Sequence, residues 1–179
     1  DSAGDPPTAV DLAAEWDGTE WRNLAPPFGT IPDYVSSGNI YWVAQGPTAL
    51  WIAGRYEGPD YALLGVVWGY VAATDTWTYI LCGDHVPMAI AVSPSGLVYI
   101  NSHSGSEGNL IEYYDGTTWQ IVAVCQTYSF YPSLAFAPDG TLYVGGSFTK
   151  IDGVSATNVA KYTPSTDTWA AMGNGLDGQ

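Results

Sequence analysis

The chain has 179 residues, and its 4 Lys and Arg against 18 Asp and Glu give a formal charge of −14. Nucleic-acid binding needs a basic surface, and an anionic membrane repels an acidic protein, so the charge argues against both partners. No apolar run approaches the roughly 20 residues of a membrane-spanning helix, which argues against membrane insertion. Because aromatic residues make up 14% and charged residues only 12%, we expect a packed core under a largely uncharged polar surface. Such a surface favours an extracellular, cell-surface or virion setting.

A pattern of short strands repeats along the chain. Residues 41–54, 88–101 and 133–146 each give an apolar strand, a turn containing Pro, and a second strand with one central aromatic residue. A hairpin that joins an aromatic residue to a Trp occurs four times, as Trp16 with Trp21, Tyr70 with Trp77, Tyr114 with Trp119, and Tyr162 with Trp169. Its turn has either six residues or four, and the four-residue form contains Asp-Gly, a strong hairpin signal. Four strands in each unit are typical of a β-propeller blade rather than of a β-sandwich.

The sequence therefore predicts an all-β propeller sector of about three four-stranded blades plus a two-stranded partial blade at the N-terminus. We assign residues 1–24 to the N-terminal segment with the outer strands of the partial blade. The first full blade with its preceding loop takes residues 25–82, the second takes 83–125, and the third with a C-terminal connection takes 126–179. Propellers typically have four to eight blades, so we expect a part of a longer propeller or several chains that complete one ring. An open ring exposes an apolar flank, which predicts self-association through blade flanks or a wrapped N-terminal segment.

The last unit resembles a known repeat. Gly145 and Gly146, followed by Tyr162 and, after six residues, by Trp169, resemble the kelch repeat. The arrangement is similar to kelch-like repeats of bacterial secreted and phage-associated propellers. This resemblance implies a propeller fold and no one activity.

The periodic aromatic residues and the two cysteines are expected to be buried between blades. The aromatic wedges are Trp51, Tyr70, Trp77, Tyr99, Trp119, Tyr143, Tyr162 and Trp169. Cys82 and Cys125 follow equivalent outer strands of adjacent blades. Such positions usually lie beyond the roughly 7 Å Cα separation that a disulfide allows, which favours two separate thiols over a disulfide.

One end of the sector is expected to carry the irregular loops. If the strands of a blade are named a to d from the axis outward, the d–a and b–c connections share one end and the short turns share the other. The connections span residues 25–39, 56–63, 83–88, 103–108, 126–132 and 147–157. The candidate ligand-binding residues are Tyr34, Tyr56, Tyr61, His85, His103, Tyr128 and Tyr131, with Asp33, Asp60, Asp84, Glu107, Phe130 and Asp152 beside them. Aromatic residues beside carboxylates suit a carbohydrate or a partner protein, unless several of these tyrosines merely roof the core.

No catalytic motif is visible. Two histidines are too few for the copper site of galactose-oxidase-like propellers, and residues 115–119 are one residue short of a sialidase-type Asp box. We predict no cofactor, and a structural calcium ion stays open. The predicted function is a non-catalytic, kelch-like propeller, extracellular or virion-associated, whose loop face binds a glycan or protein partner. The alternatives are a sector of a secreted propeller enzyme whose catalytic residues lie elsewhere, and a structural element of a virion or surface layer.

Overall fold

The computed structural model describes residues 13–24, 26, 31, 38–105, 108–125 and 132–176. Within these ranges the chain forms sixteen short β-strands and one 3-10 turn, Pro59–Tyr61. A two-stranded sheet comes first, and three four-stranded antiparallel sheets follow it along the chain. The predicted all-β fold class is confirmed.

Each four-stranded sheet is a meander of strands that are consecutive or nearly so, because short turns join neighbouring strands. The partial blade is β1 (Ala14–Trp16) and β2 (Trp21–Asn23). The first blade is β3 (Gly38–Gln45), β4 (Leu50–Glu57), β5 (Leu63–Val71) and β6 (Thr76–Gly83). The second blade is β7 (Val86–Val92), β8 (Val98–Ser104), β9 (Gly108–Tyr114) and β10 (Trp119–Cys125). The third blade is β11 (Ser133–Phe136), β12 (Leu142–Gly145), β15 (Val159–Thr163) and β16 (Thr168–Ala171), with the hairpin β13 (Lys150–Ile151) and β14 (Val154–Ser155) inserted before β15.

The blades stack face to face. The first strand of the second blade, β7, contacts β3 of the first blade and β11 of the third. The first strands of successive blades are therefore neighbours, and each sheet runs outward from them. Stacked sheets that share an inner edge are the arrangement of a propeller.

Three apolar clusters hold this stack together. Ile52, Val66 and Trp68 pack with Ile31 on the open side of the first blade. Val67, Ile90 and Ile100 belong to the cluster between the first and second blades. The cluster between the second and third blades is the largest, and it includes Tyr99, Ile111, Leu142, Val144, Ile151 and Tyr162.

Six of the eight predicted aromatic wedges pack in or against these clusters, and Tyr70 is buried against Trp77 of its own hairpin, with ring centroids 4.9 Å apart. Tyr70, Tyr99 and Tyr162 are buried, and the four tryptophans at positions 51, 77, 119 and 169 lie against the clusters. Tyr143 was expected to be a wedge but lies half-buried on the outward face of the third blade. The reason is that no described blade covers that face.

The outer hairpins repeat in atomic detail. Their paired aromatic rings lie 4.9 to 5.6 Å apart in all four hairpins. In the two six-residue turns, the hydroxyls of Tyr70 and Tyr162 donate to Asp75 and Asp167, each over 2.8 Å. Both aspartates have left-handed backbones, with φ of 51° and 50°. The partial blade therefore supplies outer strands, because β1 and β2 form the same kind of hairpin.

The partial blade covers only the outer part of the first blade. Arg22 of β2 donates to the Tyr70 hydroxyl and lies 3.6 Å from the carboxylate of Asp75. Near the axis the same face of the first blade is open, and Val43 of the innermost strand is 64% exposed. Among the described residues the partial blade consists of its outer hairpin alone, which explains both observations.

The two cysteines are free thiols in different clusters, in agreement with the favoured prediction. Burial, together with the nearby Glu112 carboxylate, raises the pKa of Cys82 well above its usual value. Burial and the charge of Asp152 raise the pKa of Cys125 to about 12. Both side chains therefore act as small apolar groups at neutral pH.

Candidate functional site

The b–c and d–a connections of the described blades lie at one end of the stack, as predicted. This follows from the strand order, because alternate connections in an antiparallel meander share an end. The b–c connections of the first and second blades are shorter than predicted, since β4 continues to Glu57 and β8 to Ser104. Strands therefore take up several of the residues that were assigned to loops.

The b–c connection of the first blade presents Tyr61 to solvent. Gly58 N–H donates to the carbonyl of Ala62 over 2.9 Å and closes a tight turn. Within the turn, Asp60 and Tyr61 have φ of 56° and 60°, a left-handed backbone conformation that residues other than glycine rarely adopt. Tyr61 is 82% exposed, the most exposed large apolar side chain among the described residues. A turn with two left-handed residues thus presents the ring of Tyr61 to solvent.

Two of the other candidates are strand residues. Tyr56 lies in β4 and is only 4% exposed, because it packs with Ile52 and Trp68 in the core. Its prediction as a solvent-facing residue is wrong, and the longer strand is the cause. His103 lies in β8 and is exposed, with Nδ1 3.3 Å from Oδ1 of Asn109 on the neighbouring strand.

His85 takes part in a buried polar cluster. Its Nδ1 lies 2.9 and 3.1 Å from the two carboxylate oxygens of Glu112, which is 1% exposed. The buried hydroxyl of Ser102 donates to Oε2 of the same carboxylate. On the other side, His85 Nε2 lies 3.8 Å from Oδ1 of Asp84. The cluster therefore anchors the connection between β6 and β7, which contains His85, to the central strands β8 and β9 of the second blade.

This cluster contains the residue types of a hydrolase without the corresponding geometry. An activated serine needs a base that accepts its proton, and a third group that orients the base. Ser102 instead donates to Glu112, and both side chains are closed to solvent. The arrangement therefore stabilises the blade and offers no reacting hydroxyl to a substrate.

The b–c connection of the third blade packs against the core. Ile151 and Phe148 are buried in the cluster between the second and third blades. Asp152 forms the exposed tip of the hairpin, with φ of 43°. These buried side chains therefore leave mainly the tip of this connection available to a ligand.

The remaining predicted site residues lie outside the described residues. They are Asp33, Tyr34, Glu107, Tyr128, Phe130 and Tyr131. Of the described candidates, His85 and His103 are close along the backbone, because Val86 of β7 pairs with His103 of β8, but their side chains have different partners, Glu112 for His85 and Asn109 for His103.

Sequence reasoning missed Glu112 and Ser102. Glu112 stands between Ile111 and Tyr113 in an apolar strand, where alternation points it inward with Leu110. An isolated carboxylate at an inward position was the available signal, because a buried carboxylate requires partners.

Among the described residues, no three or more His, Cys, Asp or Glu side chains are grouped so that they could hold a metal ion. The same part of the chain contains no helix long and apolar enough to cross a membrane.

Comparison with known proteins bears on the third blade. The model of a β-propeller domain of unknown function, DUF5122, matches residues 137–165. This match supports a β-propeller family. The matched residues begin at the turn between β11 and β12 and continue through β15, so they cover the unit with the fullest repeat pattern. A search of curated proteins found no match to the chain.

Proposed function

We propose that the chain is a non-catalytic, kelch-like propeller of the bacterial secreted or phage-associated kind. Its loop end binds a glycan or protein partner outside the cell or on a virion. The observation that carries this proposal is the exposed ring of Tyr61 on a strained turn. Strained backbone persists where surrounding structure holds it in place, and such residues cluster at binding and active sites.

The loop end suits binding better than catalysis. The polar cluster of His85, Glu112 and Ser102 is internally satisfied, and its carboxylate is closed to solvent. Tyr61 instead offers a flat apolar ring with a hydroxyl at its edge, which suits an interface that is partly wet. Leu63, two residues later, is also exposed and extends the apolar surface.

Replacing Tyr61 with alanine is expected to weaken partner binding at least about tenfold, because loss of one aromatic anchor costs about 2 kcal/mol. Stability should change by no more than about 0.5 kcal/mol, as for other exposed positions. The measurement is a screen of immobilised glycans and surface proteins with the wild type, followed by titration of the best ligand with both proteins.

Ile121→Ala is the matched control, because Ile121 is an exposed apolar residue on the outer strand of another blade. Binding should survive in this control. Equal binding by wild type and Tyr61→Ala would contradict the proposal, and so would a melting temperature as low as that of a core variant.

The outward face of the third blade supports a second part of the proposal, which concerns assembly. One row across this sheet is Ala135, Tyr143, Lys161 and Ala170. The equivalent row of the second blade is Ala91, Tyr99, Tyr113 and Gln120, and there the third blade covers Tyr99. The row on the third blade therefore resembles, in its Ala and Tyr positions, a row that another sheet covers.

We propose that a second copy of the chain covers this face. The opposite flank of the stack is partly closed by the partial blade and Ile31, so the open face of one copy meets the same face of the other. Contact of identical faces gives a closed two-fold dimer. The small side chain of Ala135 leaves room beside Tyr143 for the ring of the other copy.

Light scattering at high protein concentration is expected to show a dimer, more completely in added salt, because salt screens the repulsion between two copies of charge −14. Tyr143→Glu should give a monomer, since it places a carboxylate in the centre of the contact. Wild type that stays monomeric in salt at every concentration would contradict this assembly, as would Tyr143→Glu that dimerises like wild type.

A further inference from the structure

A groove of about 510 Å³ opens at the outer rim between the first and second blades. Its walls come from the end strand of one blade and the outer hairpin of the next. The lining is Tyr79, Ile80, Leu81, Cys82, Tyr114, Thr117, Thr118 and Trp119. Both the volume and the mixture of aromatic walls with a few polar groups are those of small-molecule sites.

A break in the repeat explains why one lining hydroxyl lacks an acceptor. In the first and third blades, the aromatic residue before the turn donates its hydroxyl to an aspartate of the six-residue turn. The turn of the second blade has only four residues, 115–118, so that aspartate is missing. Within the described ranges no residue hydrogen-bonds the hydroxyl of Tyr114, although Tyr114 pairs with Trp119 as its equivalents do.

The aromatic walls are held in position before any ligand binds. Trp119 Nε1 donates to the carbonyl of Leu81 over 3.0 Å, which joins the hairpin of the second blade to the end strand of the first. The rings of Trp119 and Tyr114 lie 5.5 Å apart, so each limits the motion of the other. On the facing strand, Tyr79 is 37% exposed. Preorganised rings lose little entropy on binding.

The charges around the groove exclude ionic ligands. The four basic residues of the chain are Arg22, Arg55, Lys150 and Lys161, and none of them lines the groove, so an anion finds no counter-charge. Asp115 is the nearest carboxylate in the sequence, and it already accepts hydrogen bonds from the backbone of Thr117 and Thr118 and from Gln120. The lining itself contains no carboxylate that a cation could bind.

We infer that this groove binds a neutral saccharide. A pyranose has an apolar face of C–H groups that packs on aromatic rings, and equatorial hydroxyls, one of which pairs with the hydroxyl of Tyr114. A proline-rich peptide also docks against aromatic grooves, but it makes less use of hydroxyls. This site is separate from the loop face and does not depend on it.

The test is calorimetric titration of the full chain with cellohexaose, maltohexaose, xylohexaose, mannohexaose and chitotetraose. At least one should bind with a dissociation constant below about 1 mM. Tyr79→Ala should weaken that binding at least about tenfold, through loss of an aromatic wall. Tyr114→Phe removes one oxygen atom, so it should weaken binding about fivefold with an unchanged melting temperature.

Two controls separate this site from the rest of the molecule. Ile121→Ala alters the equivalent outer strand of the second blade, and Tyr61→Ala alters the loop face, so both should bind the saccharide as wild type does. If Tyr79→Ala does not fold, Tyr114→Phe decides the matter alone. Absence of binding by all five saccharides would overturn the inference, as would binding that neither groove variant weakens. Binding of a proline decamer that Tyr79→Ala abolishes, with no saccharide bound, would also overturn it.

Discussion

Replacing Glu112 with alanine is expected to lower the free energy of unfolding by about 3 kcal/mol, because it removes the acceptor of the buried Ser102 hydroxyl and of the half-buried His85 imidazole. The carboxylate is 1% exposed and accepts from Nδ1 of His85 and from the hydroxyl of Ser102. With alanine, water must enter the blade or both donors lose their acceptor. Chemical denaturation followed by tryptophan fluorescence measures the change.

Glu15→Ala is the matched control, because Glu15 also has a partner, Arg22 at 2.7 Å, but on the surface. Exposed ion pairs contribute about 1 kcal/mol or less, so this variant should remain close to wild type. Glu112→Ala should also show strong coupling to Ser102→Ala in a double-mutant cycle, since both remove the same hydrogen bond. Equal stability of Glu112→Ala and Glu15→Ala would show that the buried cluster adds nothing to the fold.

The repeats made the fold predictable. An aromatic residue, a short turn and a Trp recur at Tyr70–Trp77 and Tyr162–Trp169, and the same spacing produces the same tyrosine–aspartate hydrogen bond in both places. A local pattern of this kind specifies a hairpin without knowledge of its neighbours. Stacking follows, because a strand that is apolar on both faces must be covered on both.

The candidate site was less predictable, because it depends on where strands end and on which blades are neighbours. Tyr56 was assigned to a loop, yet pairing of β4 with β5 continues past it and turns its ring into the core. The groove beside Tyr114 depends on the contact of Trp119 with Leu81, 38 positions earlier in the chain. The short turn was visible in the sequence, but the wall that faces it was not.

Replacing Trp169 with alanine is expected to cost about 3 kcal/mol of unfolding free energy, because it leaves a cavity between two blades. Trp169 packs against the cluster between the second and third blades, with its ring 5.0 Å from that of Tyr162. Its Nε1 donates to the carbonyl of Val122 over 3.4 Å, as Trp119 donates to Leu81 one blade earlier. Trp169→Phe keeps most of the ring and loses this hydrogen bond, so it should cost about 1 kcal/mol.

The partial blade offers a control of the same residue type at the same place in the repeat. Trp21 pairs with Trp16 as Trp169 pairs with Tyr162, but Trp21 is among the exposed large side chains. Trp21→Ala should therefore cost about 1 kcal/mol or less, because little cavity is created there. Thermal unfolding of Trp169→Ala, Trp169→Phe and Trp21→Ala measures the order directly. If Trp21→Ala destabilises the protein as much as Trp169→Ala does, the repeated Trp acts by stabilising its own hairpin. Packing between blades would then not be the source of its contribution.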